Sequence, residues 1–258
     1  MARRAITSAL KRLRRGDMPA EPPPPDPVLA TLETFEREVI ERSLPHSLTS
    51  RPRVLALIDA VRYCHARGVP GAFAECGVWR GGSVVAMILT LQELGIDDRD
   101  IYLYDTFEGM PEPTELDTSR LESPALDTWN AASTSGDKAW PHFFNDEIFS
   151  EQIVRDNVLS TGYPEERVRF VRGKVEETVP GVAPEQIAVL RLDTDWYEST
   201  RHELIHLYPR LVPGGVLIID DYGHWEGARR AVDEYFAEEA DPILLSRIDY
   251  TARIGIKR

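Results

Sequence analysis

IAVLRLDTDWYESTRHELIHLYPRLVPGGVLIIDDYGHW, residues 187–225, decides the fold. It opens on an apolar run closed by an acid, IAVLRLD (187–193). It passes through a helical stretch, ESTRHELIHLYPRL (198–211), and reaches a second apolar run closed by two acids, GGVLIIDD (214–221). Apolar strands joined by a helix read as parallel strands buried on both faces. Upstream, AFAECG (72–77), IYLYD (101–105) and VRFVRG (168–173) repeat the pattern. Helical stretches sit at SVVAMILTLQELG (83–95) and GARRAVDEYFAEE (227–239). ILLSRID (243–249) and TARIGIKR (251–258) read as a closing pair of short strands with a turn between, which predicts an antiparallel edge strand. The expectation is a doubly wound α/β sheet.

The chain has 258 residues, enough for one α/β domain whose core needs no disulfide or structural metal. Residues 1–27 predict a separate tail: 1–15 hold six Arg or Lys and no acid, and PAEPPPPDP (19–27) favours an extended backbone. Residues 28–70 predict two helices, VLATLETFEREVIERSL and RVLALIDAVRYCHARG, the second stopping at Gly68. Residues 71–258 form the α/β domain, interrupted by an insertion over 107–150. That insertion carries Trp129, Trp140, Phe143 and Phe144, and its aromatic content predicts an ordered lid over a pocket.

The net charge of −13 argues against a nucleic-acid partner, because neutralising phosphates needs clustered Lys and Arg. Mean hydropathy is −0.31, and no run approaches the ~20 apolar residues of a membrane span. The basic start lacks the apolar segment of a signal peptide. Two cysteines, Cys64 and Cys76, make no disulfide framework and suit a reducing cytoplasm.

Three clusters carry candidate chemistry. ECGVWRGGS (75–83) is a glycine-rich turn between strand and helix, where a ligand can approach the backbone. It is not the dinucleotide fingerprint. Asp105 ends the next strand, where an acid can accept from both ribose hydroxyls, so Glu75 and Asp105 point to a nucleoside ligand. The chain has no GK[ST] phosphate cradle. Asp193 and Asp195 end one strand, and Asp220 and Asp221 end the next. Four carboxylates gathered there repel one another unless a cation or shifted protons compensate. An oxygen-only set suits Mg²⁺, Mn²⁺ or Ca²⁺ better than zinc. His142, in the lid, and His224, three residues past the acid pair, are secondary catalytic candidates. Lys174 and Glu176 follow the 168–173 strand and can flank a base. His202 and His206 share one helix face without a third ligand and read as structural.

Together, ECGVWRGGS, YLYDTFEGMP, LRLDTDWYESTRHELIHLYPRLVPGG and IIDDYGHW resemble the macrocin O-methyltransferase (TylF/MycF-like) family over most of residues 50–240. The resemblance implies a class I methyltransferase fold, Rossmann-like, with seven strands and an antiparallel last strand. It implies transfer of a methyl group from S-adenosylmethionine to a sugar hydroxyl, with Mg²⁺ or Mn²⁺, by a homodimer or higher homo-oligomer. Residues 71–258 would then be the S-adenosylmethionine-binding catalytic domain. Carried over, Asp193, Asp220 and Asp221 are the metal ligands and Asp105 the ribose acid. Glu75, Gly77, Val78, Trp79, Arg80, Gly81 and Ser83 are the loop at the methionine end. Gly173, Lys174 and Asp193 complete the cofactor contacts. Asp195 stands where a general base would, with Asp193 also a contender. Vicinal sugar hydroxyls can chelate a metal, and so can a catechol, which is the alternative acceptor. A nicotinamide oxidoreductase lacks its glycine spacing here, and a non-catalytic nucleoside binder would have no use for the acid set.

Overall fold

The computed structural model describes residues 30–258, so the basic and proline-rich tail expected over 1–27 lies outside the described residues. Thr34–Arg258 is one unit and Met1–Glu33 another. The sheet strands are β1 (Ala72–Cys76), β2 (Ile101–Asp105), β3 (Val168–Arg172), β4 (Ile187–Leu192), β5 (Leu211–Ile219), β6 (Ser246–Arg247) and β7 (Arg253–Ile256). Their order is β3-β2-β1-β4-β5-β7-β6. β1 to β5 are parallel, and β7 runs antiparallel to both its neighbours. The antiparallel strand is therefore one place in from the edge. The edge is β6, two exposed residues long, and an edge that short offers little template for further pairing. Every residue of β1 and β4 is buried, as expected of central parallel strands. The chain runs outward from β1 to β3 and then returns to β4. The order thus reverses between β1 and β4, the place where open α/β sheets bind ligands.

The helices are α1 (Thr34–Ser43), α2 (Arg51–Ala66), α3 (Gly82–Glu93), α4 (Ala125–Ser135), α5 (Pro141–Phe144), α6 (Glu151–Leu159), α7 (Val175–Thr178), α8 (Tyr197–His206) and α9 (Glu226–Glu238). α3 is buried along nearly its whole length, which its apolar sequence allows on every side, and it packs against α1 and α2. Successive strand residues point to opposite faces. Ala74, Cys76, Leu190, Leu192, Leu217 and Ile219 pack with Leu204, Leu207, Val232 and Tyr235 of α8 and α9. The alternate residues Glu75 and Arg191 therefore share the other face, and they are direct partners in the β1–β4 register. His202 donates from Nε2 to the Val179 carbonyl at 2.8 Å, a structural role as expected. No helix among the described residues is long and apolar enough to cross a membrane.

The first part of the 107–150 insertion is tied down by one carboxylate. Asp117 is fully buried. Its Oδ2 accepts from the Thr114 N–H and hydroxyl (2.7 and 2.9 Å), and its Oδ1 accepts from the Tyr197 N–H at the start of α8 (2.7 Å). A Cβ at Gly227, in the first turn of α9, would lie 2.1 Å from that same Oδ1, so only glycine fits there. Asp117 thus caps the N-terminal turn of α8, where negative charge is favoured, and lies close against that of α9. Trp196 Nε1 donates to the Pro111 carbonyl (3.0 Å) and Glu226 N–H to the Thr118 carbonyl (2.8 Å). This stretch is a strap held at several points. Asp117→Ala strands buried N–H donors and is expected to lower stability by about 2–3 kcal/mol in urea unfolding, with Asp117→Asn losing less.

Candidate active site

The carboxyl ends of β1, β2, β4 and β5 open on a cavity of about 330 Å³. At one end lies the glycine turn. Gly77 has φ +77°, and a Cβ there would sit 2.0 Å from the Asp193 carbonyl oxygen, so the turn after β1 can lie against β4 only with glycine. Trp79 (φ +44°) and Phe107 (φ +54°) are bulky residues in the left-handed region, at a cost of about 1–3 kcal/mol each. Asp105 offsets that cost. Its Oδ2 accepts from the Val78 and Trp79 N–H groups (2.8 and 3.2 Å), and its Oδ1 accepts from Phe107 N–H (2.8 Å). Burial pushes its pKa up, and these backbone donors pull it down. Asp105 faces the cavity, but it spends most of its acceptor capacity on the loop and keeps little for a ribose.

Val78, Trp79, Ser83, Gly173 and Lys174 line the cavity with it, and the Gly173 N–H donates to the Asp105 carbonyl (3.0 Å). Arg80 and Gly81 do not. Gly81 packs against Val158 of α6, and the Arg80 guanidinium sits 5.6 Å from the Trp79 ring centroid. His142 is also outside the lining, its ring tilted at 50° against Phe143 with centroids 4.0 Å apart. His224 does line it, held between Glu122 (Nε2–Oε1 2.6 Å) and the Tyr250 hydroxyl (3.2 Å).

At the other end the acids gather around a buried arginine. Arg191 Nη1 bonds Glu75 Oε1 (2.5 Å) and Asp193 Oδ2 (2.6 Å), and its Nη2 bonds Asp220 Oδ1 (2.5 Å). Arg53 of α2 takes Asp220 Oδ2. Some of the compensation expected from a cation or shifted protons is thus built into the chain. The signal for Arg191 was in the sequence: a lone charge within an apolar strand that is buried on both faces must have a partner. Arg53 carried no such signal, because a polar residue on a helix is ordinary.

Two guanidinium groups do not balance five carboxylates. Glu75 is 1% exposed, and among the described residues its Oε2 has no hydrogen-bond partner. Burial pushes Glu75 up to about 8, with Arg191 pulling the other way. Asp193, Asp195 and Asp221 are also pushed up, by burial first and by one another's charge. Asp193, Asp220 and Asp221 each bring one oxygen within 4.8 Å of the others. An all-oxygen set with excess negative charge fits a hard divalent cation, which would reverse those upward shifts.

Asp195 sits beside this set with φ +67°, and its Oδ1 accepts from Trp225 Nε1 at 2.8 Å. Thr194, between the two acids, donates to buried Glu203 (2.9 Å), which fixes the turn from below. Trp225 packs edge-on against Trp196 (5.0 Å, 74°), and Trp140 from the insertion is tilted against Trp196 (5.8 Å, 40°). The strap and the sheet end thus build one aromatic wall next to the acids.

Residues 36–254 match the family described as macrocin-O-methyltransferase (TylF). The chain is 38% identical over 216 residues to the 8-demethyl-8-(2,3-dimethoxy-alpha-L-rhamnosyl)-tetracenomycin-C 4'-O-methyltransferase of Streptomyces olivaceus, covering 81% of this chain and 74% of that protein. It is 34% identical over 193 residues to the mycinamicin III 3''-O-methyltransferase of Micromonospora griseorubida, covering 75% and 71%. Among solved structures, that of the O-methyltransferase NovP superposes with a TM-score of 0.69 at 30% identity, covering 82% of each chain. The methyltransferase fold expected from the motifs is the fold observed. The chain belongs to the macrocin-O-methyltransferase family and is an S-adenosylmethionine-dependent O-methyltransferase.

Proposed function

We propose that this enzyme methylates a sugar hydroxyl on a glycosylated small molecule, with a divalent cation, Mg²⁺ or Mn²⁺, held by Asp193, Asp220 and Asp221, and with Asp195 as the base. The observation that carries this reading is the placement of Asp195, oriented by Trp225, beside the three-carboxylate set in the cavity that also contains the Gly77 turn. One relative named above methylates a rhamnosyl-bearing compound by its name. The tryptophan wall suits the C–H face of a sugar. Its rings lie at 74° and 40° to one another, so it offers a planar catechol no pair of parallel faces.

S-adenosylmethionine supplies an electrophilic methyl group and leaves as S-adenosylhomocysteine. The cation supplies a Lewis acid that eases loss of the hydroxyl proton. The chain supplies the rest. The turn at Gly77, with Gly173 and Lys174 after β3, holds the donor. Asp195, oriented by the bond from Trp225 Nε1 to its Oδ1, takes the acceptor's proton. The aromatic wall and the strap exclude water from the reacting atoms. The two buried, free cysteines support a cytoplasmic setting.

The test is methyl transfer from labelled S-adenosylmethionine to a panel of aryl glycosides and catechols, with Mg²⁺ and after exhaustive chelation. Transfer to a glycoside that stops with EDTA is the expected result. Transfer to catechols alone would replace the acceptor, and full turnover after chelation would remove the metal. S-adenosylhomocysteine at 100 times its Kd is expected to stabilise the fold by about 2.7 kcal/mol.

A further inference from the structure

Arg53 joins three segments that are far apart in the sequence. Its Nε bonds Asp249 Oδ2 (2.8 Å), and its Nη1 bonds Asp220 Oδ2. Asp249 also accepts from the Ser50 hydroxyl (2.7 Å) and from the N–H groups of Thr251 (3.0 Å) and Ala252 (2.9 Å). The Thr251 hydroxyl donates to the Asp220 carbonyl (2.8 Å). The loop before α2, the turn between β6 and β7, and the acid pair after β5 are therefore one network, with Arg53 at its centre. Two of these segments form the cavity rim at its acid end. Leu48 and Tyr250 line the cavity there and remain 53% and 55% exposed, apolar surface placed where an acceptor enters.

The same contact has an electrostatic consequence. Asp220 gives one oxygen to Arg191 and the other to Arg53, so a cation that uses Asp220 shares it with two fixed positive charges. Arg191 is locked in the sheet among three acids. Arg53 alone also reaches the rim. A positive charge a few ångströms from a cation site weakens binding there.

We propose that Arg53 is a positioning residue that fastens the acceptor rim to Asp220, and that it does so at the expense of divalent-cation affinity at the Asp193, Asp220, Asp221 site. The proposal rests on the metal reading given above.

The test titrates Mn²⁺ into the full chain with saturating S-adenosylhomocysteine, reading free Mn²⁺ by electron paramagnetic resonance. Amide hydrogen exchange over residues 47–50 and 249–252 is read in parallel, with circular dichroism as the check on folding. Arg53→Met and Asp249→Asn both break the Arg53–Asp249 bridge, but one removes a cation and the other an anion. Both are expected to speed exchange at the rim. Arg53→Met is expected to bind Mn²⁺ about tenfold more tightly. Asp249→Asn is expected to bind it no more tightly than the parent, because Arg53 then has Asp220 to itself. Weaker or unchanged Mn²⁺ binding in Arg53→Met overturns the proposal, and so does unchanged exchange at the rim. If Arg53→Met does not fold, Arg53→Lys keeps the charge and is expected to hold Mn²⁺ affinity within about twofold while the rim still loosens. Tighter binding in Asp249→Asn or in Arg53→Lys then overturns it. A parent protein that binds no Mn²⁺ brings down the metal reading and this proposal together, an outcome distinct from a parent that binds and an Arg53→Met that binds no better.

Discussion

Arg191→Met is expected to destabilise the metal-free protein by about 3–5 kcal/mol at pH 8, the cost of leaving buried carboxylates without their partner. Glu75, Asp193 and Asp220 all lose a contact of 2.5–2.6 Å. Asp220 keeps Arg53, whereas Glu75 keeps nothing, since its other oxygen is already unpartnered. The loss depends on pH. Glu75 titrates at about 8 in the folded chain, against an ordinary value near 4.5. The folded state therefore binds more protons than the unfolded state between those values, and the stability this contributes falls as pH rises through about 8. Without Arg191 the carboxyl group is pushed higher still. The part of the deficit owed to Glu75 is therefore expected to grow as pH rises above about 8, where the parent's Glu75 ionises beside Arg191 and the variant's stays protonated, so that it is larger at pH 9 than at pH 5, where Glu75 is protonated in both proteins. Urea unfolding in EDTA at the two pH values measures this. An equal deficit at both would mean that Arg191 does not set the protonation of Glu75.

Asp195→Asn is expected to lower kcat by about 10²–10⁴, the usual worth of a positioned base, with S-adenosylhomocysteine affinity within about twofold of the parent. The asparagine can still accept from Trp225 Nε1 with its side-chain oxygen, so the turn and the left-handed backbone at this position are retained. What it cannot do is take a proton. Asp193 lies two residues away and is the competing base. If Asp195→Asn turned over normally, the role would pass to Asp193 or to His224. Stopped-flow or quench measurements of a single turnover would separate a slow transfer from slow release of product.

Most of the sheet could be read from local pattern. Runs such as IAVLRL and FAEC are apolar because both faces are covered, and each ends where acid and glycine begin, so strand ends and candidate site residues were legible together. The closing strands were less so. β6 shrinks to Ser246–Arg247 and lies outside β7, because the position of a short strand in a sheet depends on pairing rather than on its composition. The insertion was read as a lid from its aromatic residues. Asp117, which ties its first half to the start of α8, gave no local sign of that role, since Tyr197 is 80 residues away.

By itself the sequence determined the parallel sheet, the order of its central strands' acids and glycines, and the family those motifs belong to, because each is a property of residues within a few positions of one another. Only the tertiary structure decided how the acids are balanced. Arg53 reaches Asp220 across 167 residues, Arg191 reaches Glu75 across 116, and Trp225 reaches Asp195 across 30. Coulombic and hydrogen-bond energies depend on distance in space, and a charge with no fixed place in the chain's folding has no readable partner until the strands are brought side by side.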